Sequence, residues 1–169
     1  MPIERALVAA VLLLLGAAAS AQLVALDPDW KETEVPPPPV FRTDRLIKLE
    51  MPRYLATQFG VDPQTLQITP DGLVRYVMVA SSPGGTTQAM YEGLRCLTGE
   101  VKTYARFGSD GTWSPVRDPQ WRALSGNQAS AHALALARQG ACDGRAAASA
   151  SAAAIIRKLK AAAPEGSVH

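Results

Sequence analysis

Between residues 65 and 116 apolar and polar positions run in short, strand-like stretches broken by turn residues. TLQIT at 65–69 reads as a strand, and Pro70, Asp71 and Gly72 turn the chain. LVRYVMVAS at 73–81 is rich in β-branched and aromatic residues, and SPGGTTQ at 82–88 is a loop by composition. Residues 89–97 and 100–107 form the next two strands, joined at Thr98 and Gly99; Ser109, Asp110 and Gly111 then turn into a strand at 112–116. The pattern predicts a meander of about five antiparallel strands. Two helices flank it. Residues 51–59 carry the weaker signal; residues 127–139 carry the stronger, with Asn127 as N-cap and Gly140 as terminator.

Strand alternation assigns faces. With Thr98 and Gly99 as a two-residue loop, Cys96 faces Val101 and Leu94 faces Thr103. One face then carries Met90, Leu94, Cys96, Val101, Ala105 and Phe107, which is the core side. The other carries Tyr91, Arg95, Lys102, Tyr104 and Arg106. Matching apolar sides puts Val77 and Val79 toward the core, and Tyr76 and Met78 with the tyrosines; a one-residue slip reverses this.

The ends of the chain differ from its middle. MPIERALVAAVLLLLGAAASAQ opens with Arg5, an apolar run too short to span a bilayer core, and an A-x-A site before Gln22. This predicts a signal peptide over 1–21 cleaved between Ala21 and Gln22, with an uncleaved anchor as the alternative. The mature chain of about 148 residues allows one domain. Residues 22–45 contain four consecutive prolines, which favour an extended polyproline segment; Trp30, Val40 and Phe41 could pin it to the domain. Residues 46–142 are the α+β core. Residues 143–169 are an alanine-rich, low-complexity tail in which Ile155, Ile156 and Leu159 form an apolar stripe beside Arg157, Lys158 and Lys160. It reads as a frayed helix or a disordered tail, or as a weak contact with an anionic membrane surface.

Export changes the meaning of the two cysteines. In an oxidising compartment Cys96 and Cys142 are expected to pair, with free thiols or an intermolecular bridge as alternatives. A bridge would clamp the last core helix onto the sheet and contribute about 4 kcal/mol by the chain-entropy model. The net charge of +2 is too mild to argue for nucleic acid.

Specific chemistry is sparse. There are two histidines, His132 and His169, and no metal-ligand spacing, nucleophile elbow, Walker lysine or dinucleotide fingerprint, so no cofactor or metal is expected. His132 sits in an alanine/leucine helix and reads as packed or surface-exposed. Glu92 falls on the core face beside Met90 and Leu94. It is either a general acid/base or a buried ion pair, for instance with Arg75, or an edge position. Tyr91, Arg95, Lys102, Tyr104 and Arg106 could bind an anionic or sugar-bearing ligand. They could equally cover a solvated sheet face or lie beneath the N-terminal segment.

DGLVRY at 71–76, YEGLRC at 91–96, YARFGSDGTW at 104–113, Trp121 and the late Cys142 resemble the cryptic neisserial protein one-like family over residues 28–142. The resemblance implies an exported bacterial domain with no assigned activity and supplies no site residues. The sequence departs from the family pattern after Cys142.

Together these readings describe a single α+β domain with a meandering antiparallel sheet, one or two packed helices and one disulfide. They point to a non-enzymatic binding or accessory module of the periplasm or cell envelope, or one released beyond it, whose partner is an envelope protein or such a ligand. The alternative is an envelope hydrolase using Glu92.

Overall fold

The computed structural model describes residues 26–126 and 129–164; the expected signal peptide with Ala21 and Gln22, and the expected N-cap Asn127, lie outside them. The described chain forms one mixed domain around an eight-stranded antiparallel sheet. Its strands are β1 (Ile47–Lys48), β2 (Gln58–Val61), β3 (Gln67–Ile68), β4 (Val74–Ser81), β5 (Thr87–Arg95), β6 (Glu100–Phe107), β7 (Trp113–Pro115) and β8 (Arg122–Ala123). The spatial order is β1-β2-β4-β5-β6-β7, with β3 beside β4 and β8 beside β6. The α+β meander and its disulfide are as expected, but the sheet has more than five strands.

β1, β2 and β8 are the unexpected strands of this sheet, and β2 corrects the helix expected at 51–59. Residues 52–55 make a single turn, with the Leu55 amide on the Pro52 carbonyl (2.9 Å). QFGV then pairs with β4, Gln58 opposite Ser81 and Val61 opposite Met78. A long central strand with an open ladder outweighs local propensity there.

The expected faces of β4 are reversed. Tyr76 lies opposite Glu92 and Met78 opposite Met90, while Val77 lies opposite Tyr91. Tyr76 and Met78 join the helix-side cluster with Met90 and Leu94; Val77 and Val79 join Ala89, Tyr91, Tyr104 and Ala105 on the opposite side. Every residue of β4 from Val74 to Val79 is buried. The strand reads as a continuous apolar run because both faces of the sheet are covered.

The β5–β6 register also differs. Arg95 pairs with Glu100, so residues 96–99 form a four-residue turn closed by the Gly99 amide on the Arg95 carbonyl (2.9 Å). A bulge follows: Glu92 faces Thr103 but Tyr91 faces Ala105, so Tyr104 is the extra residue. The bulge turns Tyr104 and Ala105 to one side and sends Arg106 to the side of Met90.

The helical layer consists of α1 (Ala131–Leu136), a wider π-helical turn (Ala137–Ala141) and α2 (Ala152–Ala162), with a small β9–β10 ladder at Cys142–Asp143 and Ala146–Ala147 between them. Ser130 holds the α1 N-cap position, and its hydroxyl donates to the Ala123 carbonyl (2.9 Å), seating the helix on β8. The turn ends through Gly140 at φ +140°, where a Cβ would press on the Cβ of Lys158 (2.8 Å). Glycine there lets α2 cross closely. Cys96 and Cys142 are bridged with Cα atoms 5.6 Å apart, tying the β5 turn to the end of the π-helical turn.

The alanine-rich tail is part of this layer. Ile155 (0% exposed) and Leu159 (1%) enter the main core with Leu136 and Ala141. The stripe considered for a membrane surface is therefore turned inward. Among the described residues no helix is long and apolar enough to cross a membrane.

The opposite face of the sheet is covered by residues 30–41, here called the strap. Val35 and Phe41 pack on the Tyr91/Tyr104 cluster, and Phe41 makes edge contacts with Phe107 and Trp113 at centroid distances of 5.1 and 5.6 Å. Trp30 and Phe41 pin the strap as expected; Val40 instead projects outward, 94% exposed.

Candidate functional site

Two polar clusters lie on opposite faces of the sheet. The first is centred on Glu92 in β5, 1% exposed on the helix side. Its neighbours come from three directions. Tyr76 on β4 donates its hydroxyl to Oε2 (3.1 Å), and Thr103 on β6 donates to Oε1 (2.9 Å). His132 Nε2 on α1 lies 3.2 and 3.0 Å from the two oxygens. Phe59 of β2 stacks flat on the imidazole at 5.1 Å. The expected Arg75 partner is on the other face, so the pair is Glu92–His132. Sequence reasoning missed His132 because, in its alanine/leucine helix, it read as packed or surface-exposed and without a partner.

This cluster satisfies a buried carboxyl from all sides. Burial, with the Glu92 charge adding to it, holds the Tyr76 phenol well above its usual range. Glu92 is shut off from solvent, and the cleft of about 410 Å³ that reaches Phe59 is not lined by it. The arrangement is a buried tie between sheet and helix.

The second cluster is the strap face. Of the five side chains expected to share it, Tyr91, Arg95, Lys102 and Tyr104 do; Arg106, displaced by the bulge, does not and is exposed. The chain's own N-terminal segment covers them. Trp30 lies under the Arg95 guanidinium at 3.6 Å, meets Trp121 edge-on at 6.1 Å, and donates Nε1 to the Asp71 carbonyl (3.0 Å). Glu32 takes Lys102 Nζ on one oxygen and the Tyr104 hydroxyl on the other, each at 2.6 Å. The Thr33 amide donates to Asp71 Oδ2 (2.8 Å). Arg75, 3% exposed, donates to the carbonyls of Glu34 (3.0 Å) and Thr33 (2.8 Å) and stands 5.7 Å from the Tyr104 ring centre.

Electrostatics follow the burial. Desolvation, then the Glu32 hydrogen bond and charge, push the Tyr104 phenol far above its usual range, with Arg75 opposing. Tyr91 is raised by burial and pulled back by Arg75. Burial acts to raise the Asp71 carboxyl, yet the neighbouring Thr69 hydroxyl and the Thr33 amide prevail and lower it.

A cleft of about 480 Å³ remains between strap and sheet, walled by Val35, Pro36, Pro37 and Pro38 on one side and by Tyr91, Lys102 and Tyr104 on the other. Tyr91 is 2% exposed, and its hydroxyl makes no hydrogen bond with the described residues. Sequence reasoning missed Glu32, Asp71 and Arg75 as parts of this site. Only Arg75 left a signal, as a lone cation inside an apolar strand. Among the described residues no group of three or more His, Cys, Asp and Glu side chains could hold a metal ion.

These features define a class: a disulfide-stapled α+β module whose main sheet carries helices on one face and an N-terminal strap on the other. The CNP1-like family model matches residues 25–160, and the chain belongs to that family. The match runs from just before the strap into α2. The C-terminal helix is therefore inside the family's domain, which corrects the expectation that the sequence departs from the pattern after Cys142. No curated protein and no solved structure matches the chain.

Proposed function

We propose that the chain is an exported, non-enzymatic binding or accessory module of the bacterial cell envelope, acting in the periplasm or released beyond it. Its ligand, an envelope protein or an anionic or sugar-bearing molecule, is held in the cleft between strap and sheet. The observation that carries this reading is the convergence of Tyr91, Lys102 and Tyr104 on one cleft of about 480 Å³, within the size range of small-ligand sites. The Tyr91 hydroxyl supplies a free donor there and the proline and tyrosine rings supply apolar walls. Export is supported by the Cys96–Cys142 bridge, which persists in oxidising compartments. A hydrolase using Glu92 would need water and substrate at a carboxylate that is 1% exposed and already engaged by three neighbours.

The test compares immobilised wild-type protein with Tyr91→Phe, which removes one hydroxyl and keeps the ring. Both are passed over a panel of envelope saccharide fragments, anionic polymers and peptides. A compound retained by the wild type and lost several-fold by Tyr91→Phe supports the cleft; equal retention by both sinks it. Thiol labelling of unreduced periplasmic extract should find neither cysteine reactive.

A further inference from the structure

We propose that the strap is a resident ligand: the groove it fills is a recognition site for an extended, acidic, proline-rich peptide segment of a partner protein, and residues 30–38 are the placeholder that such a segment displaces. This rests on reading the cleft as a binding site and names the class of molecule that it takes.

The first support is how the strap is held. Apart from the local Trp30 to Asp27 turn, residues 30–41 make no main-chain to main-chain hydrogen bond within the described residues. They join no ladder. Instead, separate sheet side chains read separate features of the segment. Arg95 and Trp121 cradle an aromatic ring at Trp30. Lys102 and Tyr104 take the carboxylate of Glu32. Arg75 reads two successive carbonyls, and Val35 packs on the Tyr91/Tyr104 wall with Pro36, Pro37 and Pro38 across the cleft from it. An aromatic anchor and a charge clamp beside a proline-lined cleft are ingredients of extended-peptide recognition.

Charge complementarity points the same way. The covered face contributes three cations, Arg75, Arg95 and Lys102, and residues 30–38 bring Glu32 and Glu34 against one Lys31, with Glu32 paired to Lys102. The fit is also incomplete. Arg75 Nε is buried without an acceptor, in a residue that is 3% exposed. A foreign segment offering an acceptor at that donor gains what the resident leaves unmade.

The two ends of the strap differ. Phe41 is fixed among Phe107 and Trp113, and the Arg42 amide is bonded to Asp62 Oδ2 (2.8 Å). Displacement therefore starts at Trp30 and stops before Phe41. A tethered segment competes at an effective concentration of order millimolar, so the groove is masked in the intact chain and its apparent affinity is reduced by the closed fraction.

Competition fixes the signs of the test. The probe is a fluorescein-labelled peptide of residues 29–41, DWKETEVPPPPVF, titrated by anisotropy into the full chain. Wild type should bind weakly. Trp30→Ala/Glu32→Gln, which loosens the resident, should bind about tenfold tighter or more. Adding Lys102→Ala should reverse that gain. Mere damage to the fold would weaken binding in every variant. A second peptide keeping the tryptophan, the glutamate two residues later and the proline run, with other positions changed, should bind comparably; a scrambled peptide should not bind. Should the double variant lose its circular dichroism, Glu32→Gln alone carries the test with a several-fold gain.

A folded, disulfide-bonded strap variant that binds no tighter than wild type overturns the proposal, as does equal binding of the scrambled peptide. Light scattering that shows the wild type as a dimer with exchanged straps would replace the foreign partner with a second copy. Failure of the peptide while Tyr91→Phe still loses another compound from the panel would remove only this ligand class and leave the cleft.

Discussion

Single positions decide how the two faces are joined. A Cβ on Gly93 would fall inside the Tyr104 hydroxyl, so the ring can lie across β5 only because that residue is glycine. Gly93→Ala should push Tyr104 off Glu32 and cost about 1–3 kcal/mol, as overpacking does. Urea denaturation would show the loss, and trypsin should cut faster at the exposed Lys31 as the strap loosens. The tyrosines make a second prediction. Burial raises Tyr76, Tyr91 and Tyr104, three of the four in the chain, above the usual value near 10.0. A raised folded-state value favours the neutral phenol, so the stabilisation is complete below pH 10 and is lost as pH climbs beyond it. Phenolate absorbance from these rings should therefore rise together with loss of circular dichroism; ionisation well before unfolding would contradict their burial. Tyr91, Lys102 and Tyr104 were legible as one face from alternation alone. Arg106 was not, because a bulge is invisible to a period of two.

At the scale of elements, α2 shows what pattern cannot decide. An apolar stripe of Ile155, Ile156 and Leu159 among alanines suits a core or a membrane surface equally well. The difference lies in a partner surface set by Gly140 and Leu136, distant in sequence from the stripe's own signal. Because Leu159 is 1% exposed in the main core, Leu159→Ala should cost about 2–5 kcal/mol in chemical denaturation. A cost below about 0.5 kcal/mol, ordinary for a surface site, would mean that the helix is an appendage. The strands of the meander were legible because their turns carry Gly, Pro and Asp. The edge strand β1 and its neighbour β2 were not, since such short strands are specified by the ladder they complete, β2 by the open side of β4 and β1 by that of β2, and not by their own residues. The Cys96–Cys142 tie was legible as the pairing of the chain's two cysteines that an expected export implies, and the Glu92–His132 tie was not: both residues were visible, but the register that brings them together depends on the bulge and on where α1 docks.

For the whole molecule, the consequence is an asymmetry between its two coverings. The helical layer is bound by a disulfide, a buried carboxyl–imidazole contact and large apolar side chains. The strap is bound by side-chain contacts and by Phe41 at one end. Local opening follows the number of protected main-chain bonds and buried contacts. Strap amides should therefore exchange with deuterium far faster than those of β4, β5 and β6, which should exchange only with global unfolding. Thr33 is the instructive exception, because its amide is tied to the Asp71 carboxylate. That carboxyl is held below its usual value of 3.8, so the tie holds above pH 4 and fails as pH falls through the lowered value. Glu32→Gln should speed exchange across residues 30–38 and leave β4 unchanged. If strap and sheet instead exchange at one common rate in both proteins, the coverings open as a single unit, and no peptide could replace the strap without unfolding the domain. Separate rates are thus the physical condition that a strap-gated binding groove must meet.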